Sequence, residues 1–223
     1  MVELFWRAFY FAAQAIVRPF VRVKREGPRL PAGPLLLAAN HCSFMDPVVL
    51  QAAAWRHLSY LMTDVYYRPW LARWFFAWMR TIPVREGGGS NRAALETAAH
   101  ALKHRWAVGI FPEGGISKTG ELQRFFPGVA ALAESTQTAV VPVAILGTFQ
   151  VLPRHARFPK LFRKVVVRFG EPIPPPRVDD ERRRREELRA YTELLHDRVL
   201  ALQDAARTRR PTLPQPMGAC PSS

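Results

Sequence analysis

The chain has 223 residues, 48% of them apolar, which supports a sizeable core in one α/β domain with appendages and excludes global disorder. Thirty-two Lys and Arg stand against 18 Asp and Glu, for a net charge of +14. The two cysteines, Cys42 and Cys220, form neither a disulfide framework nor a metal-binding spacing, which is consistent with a reducing compartment. The charge excess lies in residues 1–178, with 23 basic and 10 acidic side chains, while the last 45 residues are nearly balanced. No nucleic-acid motif accompanies it, so attraction to anionic lipid or to a phosphate-bearing substrate fits better.

In chain order, residues 2–20 read as an amphipathic helix. Glu3, Arg7, Gln14 and Arg18 share one narrow stripe, and Leu4, Phe5, Trp6, Phe9, Phe11, Ile16 and Val17 form the rest. The longest uncharged run, residues 8–17, falls short of the roughly 20 residues that cross a bilayer. Two placements follow: in the membrane interface, or packed on the domain's own core. The apolar run 35–39 reads as a strand buried on both faces of a parallel sheet. Asp46 and Pro47 then suit the N-cap and first position of a helix over 48–54.

Residues 66–80 carry three of the six Trp, with Arg73 and Arg80 on one face. They read as a second interfacial element, as one wall of an acyl-chain groove, or as a core helix. A Gly-rich connector (87–90) leads to a helix running to Arg105. Strands over 107–111, 139–145 and 164–170 and a helix over 127–134 complete an α/β pattern. A last helix, 179–206, places Leu188, Tyr191, Leu195, Val199 and Leu202 in one stripe. Residues 207–223, rich in Pro and polar side chains, read as disordered. The division is therefore an amphipathic membrane-associating helix 1–28, a catalytic domain 29–178, a packed helix 179–206 and a disordered tail 207–223. The fold class is a central, mostly parallel sheet flanked by helices.

Asn40-His41-Cys42-Ser43-Phe44-Met45-Asp46 follows the first buried strand, at the end where open α/β sheets bind ligands. His41 can take a proton from an alcohol only if its tautomer is fixed and its cation stabilised. An Asp on the far ring nitrogen does both. No protein nucleophile is obvious, so the attacking hydroxyl is expected to belong to a substrate, which predicts direct acyl transfer onto an alcohol. Neither Ser43 nor Ser117 sits in a Gly-x-Ser-x-Gly elbow, which disfavours a serine hydrolase. Cys42 reads as a small packing residue. His57, His100, His104, His155 and His196 have no carboxylate at useful spacing; His100 and His104 stand four apart but lack the Glu of a zinc-protease motif.

Three further blocks follow in order: Thr81-Ile82-Pro83-Val84-Arg85, Phe111-Pro112-Glu113-Gly114-Gly115-Ile116-Ser117, and Val141-Pro142-Val143. With the His41 block, they resemble the glycerolipid acyltransferases, over about residues 35–145. The resemblance implies His41 and Asp46 as catalytic residues. It implies Asn40, Ser43, Glu113, Gly114 and Ser117 as substrate-binding residues, with Arg85 on the phosphate. Lys118 joins Arg85 as a candidate cation for that phosphate. Gly115 and Ile116 stand where the family has Thr and Arg.

The expected reaction moves a fatty acyl group from acyl-CoA or acyl-carrier protein to a lysophospholipid, 1-acyl-glycerol-3-phosphate first, at the cytoplasmic face of a membrane. No cofactor and no metal is expected. The alternatives are a different lyso-lipid acceptor, such as a lyso-ornithine lipid or lysophosphatidylglycerol, and a lipid-binding module without turnover.

Overall fold

The computed structural model describes residues 21–63, 81–84, 92–153, 160, 162–178 and 180–208. The expectations for residues 2–20 and 66–80, the 87–90 connector, Arg85 and the tail beyond 208 lie outside the described residues.

Seven strands and five helices are described. In order they are β1 (Val21–Glu26), β2 (Leu35–Ala39), α1 (Asp46–Ala54), β3 (Leu58–Thr63), β4 (Ile82–Val84) and α2 (Arg92–Lys103). There follow β5 (Ala107–Ile110), α3 (Gly128–Thr136), β6 (Val140–Leu146), α4 (Thr148–Val151), β7 (Arg163–Phe169) and α5 (Arg184–Arg207). The strands form one sheet in the order β1-β7-β6-β2-β5-β3-β4. All pairings are parallel except β6 with β7. The fold is thus a mostly parallel sheet flanked by helices.

The register explains why β2 is apolar throughout. Leu35, Leu37 and Ala39 face one core with Val49, Leu50 and Ala53 of α1. Leu36 and Ala38 face the other, with residues of α2, α3 and α5. Both faces are covered, so alternation with polar residues has no place here. In β6 the Pro142 ring replaces a donor, and Leu36↔Val140 to Ala39↔Val143 still pair around it.

The structure departs from the sequence reading in several places. Residues 21–26, assigned above to the N-terminal helix, form β1, an edge strand paired with β7 from Val21↔Arg163 to Glu26↔Arg168. β3 and β4 form the other edge, Leu61↔Ile82 to Thr63↔Val84. The last helix begins at Arg184 rather than 179. Asp46 does not cap α1: it is the helix's first residue, Met45 holds the cap position, and the carboxylate turns back toward the preceding loop.

The strands deliver several segments to one edge of the sheet. β2 ends there, before the His41 loop. β5 pairs in register with both β2 and β3, so β3 ends at Thr63 and β4 at Val84 toward the same side. β1, running with β7 and against β6, begins there at Val21.

Candidate active site

Two loops meet at this edge. The first, residues 40–45, leaves β2 and enters α1. The second, residues 111–127, leaves β5 and enters α3. Five hydrogen bonds hold the first loop in place. Asn40 spends its amide on β6: Nδ2 donates to the Ile145 carbonyl (2.9 Å), and Oδ1 accepts the Ile145 N–H (2.7 Å). The Ser43 hydroxyl donates to the Leu152 carbonyl (2.7 Å) and accepts the Met45 N–H (3.1 Å). Ser117 N–H donates to the His41 carbonyl (2.8 Å), tying the loops together.

Asp46 is fully buried. Its Oδ2 lies 2.9 Å from His41 Nδ1 and accepts the N–H groups of Cys42 and Ser43, both at 2.7 Å. Oδ1 is buried with no partner among the described residues, so these three donors solvate the carboxylate. A carboxylate accepts only, so Nδ1 carries the proton and Nε2 is left with its lone pair. The His41 side chain is 15% exposed, and its ring stacks on Phe111 with centroids 4.2 Å apart. Phe111 stacks in turn on Tyr60 (6.2 Å). Gly109 makes room for this row of rings: a Cβ there would lie 2.6 Å from the Tyr60 ring.

Glu113 is buried, and its two oxygens face different ways. Oε1 accepts the His41 backbone N–H (2.9 Å), and Oε2 accepts the Gln123 amide (3.0 Å). Burial pushes its carboxyl above the usual range, and hydrogen bonds from His41 and Gln123 pull it partly back. Cys42, buried and near the Asp46 and Glu113 charges, has its thiol pushed up to about 12. It contacts the Thr148 hydroxyl at 3.2 Å. Such a thiol is inert at neutral pH.

The structure therefore brings His41, Asp46 and Glu113 together. Asn40, Ser43 and Ser117 stand in the same place, all buried: Asn40 bonds Ile145, Ser43 bonds Leu152 and Met45, and the Ser117 hydroxyl accepts the Gly120 N–H. Gly114 is exposed at φ +72, where a Cβ would also meet the Phe126 ring at 2.8 Å. Its N–H donates to the Phe111 carbonyl. Lys118 is exposed on the same loop. Arg85 lies outside the described residues, one position past the end of β4. Gln123 had no signal in the sequence: no motif or periodicity marks a residue ten positions beyond Glu113. Among the described residues no group of three or more His, Cys, Asp or Glu could hold a metal ion.

An Asp-held imidazole at the carboxyl edge of an α/β sheet can take a proton from a substrate hydroxyl, and among the described residues no Ser or Cys is hydrogen-bonded to the His41 ring. The sequence model of the Acyltransferase family matches residues 21–146, and the chain belongs to that family. Among its relatives is a chloroplastic 1-acyl-sn-glycerol-3-phosphate acyltransferase of Arabidopsis thaliana, 29% identical over 145 residues, covering 63% of this chain and 40% of that protein. Another is a lyso-ornithine lipid O-acyltransferase of Pseudomonas aeruginosa, 34% identical over 139 residues, covering 61% of this chain and 52% of that protein. The chain thus spans about half the length of the curated relatives it matches. The crystal structure of the 1-acyl-sn-glycerophosphate acyltransferase PlsC from Thermotoga maritima superposes with a TM-score of 0.70 at 23% identity, over 93% of this chain and 80% of that one, and shares its fold.

Proposed function

We propose that the chain transfers a fatty acyl group from a thioester, acyl-CoA or acyl-carrier protein, to the free hydroxyl of a lysophospholipid. The observation that carries this reading is the 2.9 Å contact between His41 Nδ1 and the buried Asp46 carboxylate. His41 Nε2 takes the proton from the acceptor hydroxyl. Asp46 holds the reactive tautomer and stabilises the imidazolium. The alkoxide attacks the thioester carbonyl, and His41 returns the proton to the leaving thiolate. The His41, Cys42 and Ser43 N–H groups are committed to Glu113 and Asp46, and that of Gly114 to Phe111. The remaining oxyanion donors in this turn are Gly115 and Ile116.

The acceptor is 1-acyl-glycerol-3-phosphate, with Arg85 and Lys118 as cations for its phosphate, in keeping with the acceptor in the Arabidopsis relative's name. The Gly115–Ile116 pair, standing where the resemblance places Thr and Arg, favours a second reading: another lyso-lipid acceptor, as in the Pseudomonas relative's name.

The protein works at a membrane surface on its cytoplasmic side, with anionic lipid as partner. In support, the exposed Phe44, Phe126 and Phe162 lie toward the His41 edge, and the apolar segments 1–20 and 64–80 join the described fold there, at Val21 and Thr63. No helix among the described residues is long and apolar enough to cross a membrane.

The test is free-thiol release from acyl-CoA and from acyl-carrier protein, each with a panel of lyso-lipid acceptors. Release stimulated by 1-acyl-glycerol-3-phosphate upholds the first acceptor, and stimulation by lyso-ornithine lipid alone upholds the second. Binding to anionic liposomes with no release under any pairing would remove the enzymatic reading.

A further inference from the structure

Gln123 is exposed on the loop between β5 and α3, yet its amide closes over a buried charge. Nε2 donates to Glu113 Oε2 at 3.0 Å and reaches the Gly115 carbonyl at 3.4 Å. The other Glu113 oxygen accepts the backbone N–H of His41. One carboxylate therefore joins a surface amide to the main chain of the residue that bears the base.

We infer that Gln123 is a positioning residue: it fixes the Glu113 carboxylate, which fixes the His41 backbone, and this linkage responds to protonation of Glu113. In its catalytic consequence this rests on the reading of His41 as general base.

The physical case begins with how the Glu113 charge is satisfied. Among the described residues no Lys or Arg pairs with it. The group that faces it from the β2–α1 loop is the His41 ring, with the Cys42 thiol and the Asp46 carboxylate beyond. From its own loop it is faced by Gln123, through side chain and backbone N–H alike. Burial favours the protonated form, so N–H dipoles keep the carboxylate ionised. Removing the Gln123 donor makes proton uptake easier, and a neutral Glu113 is a weaker acceptor for the His41 N–H. Gln123 also braces the Gly115 carbonyl, and so the turn whose free N–H groups serve the oxyanion.

The test uses the full chain in detergent micelles, with Gln123→Met, Gln123→Glu and Gln123→Lys. The His41 backbone amide is followed by NMR against pH on a histidine-labelled sample, in which only six residues give signals. The pH–rate profile of thiol release is measured beside it. Gln123→Met keeps the length and loses the donor. Its amide inflection and the acid limb of kcat should both move up by about half to one pH unit, with activity recovering above the limb. Gln123→Glu acts in the same sense and further: the two carboxyls share a proton, so the inflection and the acid limb move up beyond those of Gln123→Met. Gln123→Lys restores a donor and returns the inflection to the wild-type position or below it.

A role confined to folding would lower activity equally at all pH values and leave the inflections in place. Inflections and limbs unchanged in both Gln123→Met and Gln123→Glu would overturn the inference, whatever happens to kcat. If the amide inflections move as stated while the wild type releases no thiol, the linkage is upheld and the acyltransferase reading falls instead.

Discussion

Glu113 and Glu26 are the same side chain in two regions of one sheet, and their environments push them in opposite directions. Glu26 lies on β1, three strands from β2, beside an open cleft of about 510 Å³ with Lys24, Arg168, Phe169 and Leu202. Lys24 approaches one of its oxygens at 2.8 Å, and Arg168 grips the other through Nε (2.9 Å) and a second guanidinium nitrogen (2.5 Å). The Lys24 and Arg168 cations hold its carboxyl below the usual range. Burial holds Glu113 above it. A charge matched by cations fastens an edge strand. A charge matched by N–H dipoles, with no Lys or Arg among the described residues, stays responsive to its surroundings, and that one lies beside His41.

The sign of pH dependence separates the two. Glu26 contributes stability that is present above the ordinary carboxylate range and is lost as pH falls through its lowered pKa. Glu113 behaves the other way: its ionisation costs stability above its raised pKa, and the cost is relieved as pH falls. Urea unfolding of Glu26→Gln and Glu113→Gln between acid and neutral pH should show slopes altered in opposite senses.

The largest expected effect is at the base. His41→Ala should lower thiol release by about a hundredfold to ten-thousandfold while the protein stays folded by circular dichroism. Asp46→Asn follows, because it removes the charge that stabilises the imidazolium and leaves a weaker, neutral acceptor for the three donors at Oδ2. Activity should fall by about a hundredfold or more, and urea unfolding should show a loss of about 1–3 kcal/mol. Arg168→Met sharpens the contrast: a stability loss of about 1–3 kcal/mol with thiol release unchanged, since it breaks the β1–β7 ion pair away from the site. Cys42→Ala should be the mildest, with activity within about threefold of wild type, and the Cys42 thiol of the wild-type protein should resist alkylation at neutral pH when modification is mapped by peptide.

The interior strands and the His41–Asp46 pair were legible because each leaves a local mark. Leu35 to Ala39 is an unbroken apolar run, and the pair lies five residues apart in one loop. β1 was not legible. Its Val21-Arg22-Val23-Lys24 alternation is present, but half its side chains face outward, and its ion-pair partner Arg168 is 142 residues away. β4 is three residues long and contains Pro83, so neither length nor composition announces a strand. The hydrogen-bond partners of Asn40, Ser43 and Ser117 were hidden for a related reason. A motif tells that a polar residue belongs at a position, whereas only coordinates tell whether its hydrogen bonds go to a ligand or to Ile145, Leu152 and Gly120.

Asn40 behaves as a surrogate piece of main chain, offering Ile145 both halves of an amide across 105 residues of sequence. Asp lacks the donor, Gln overshoots, and Ser supplies too few atoms, so the position admits no near synonym. The loop that carries the imidazole is thereby anchored to a strand made much later in synthesis. A nascent chain that has not reached Ile145 therefore lacks that anchor.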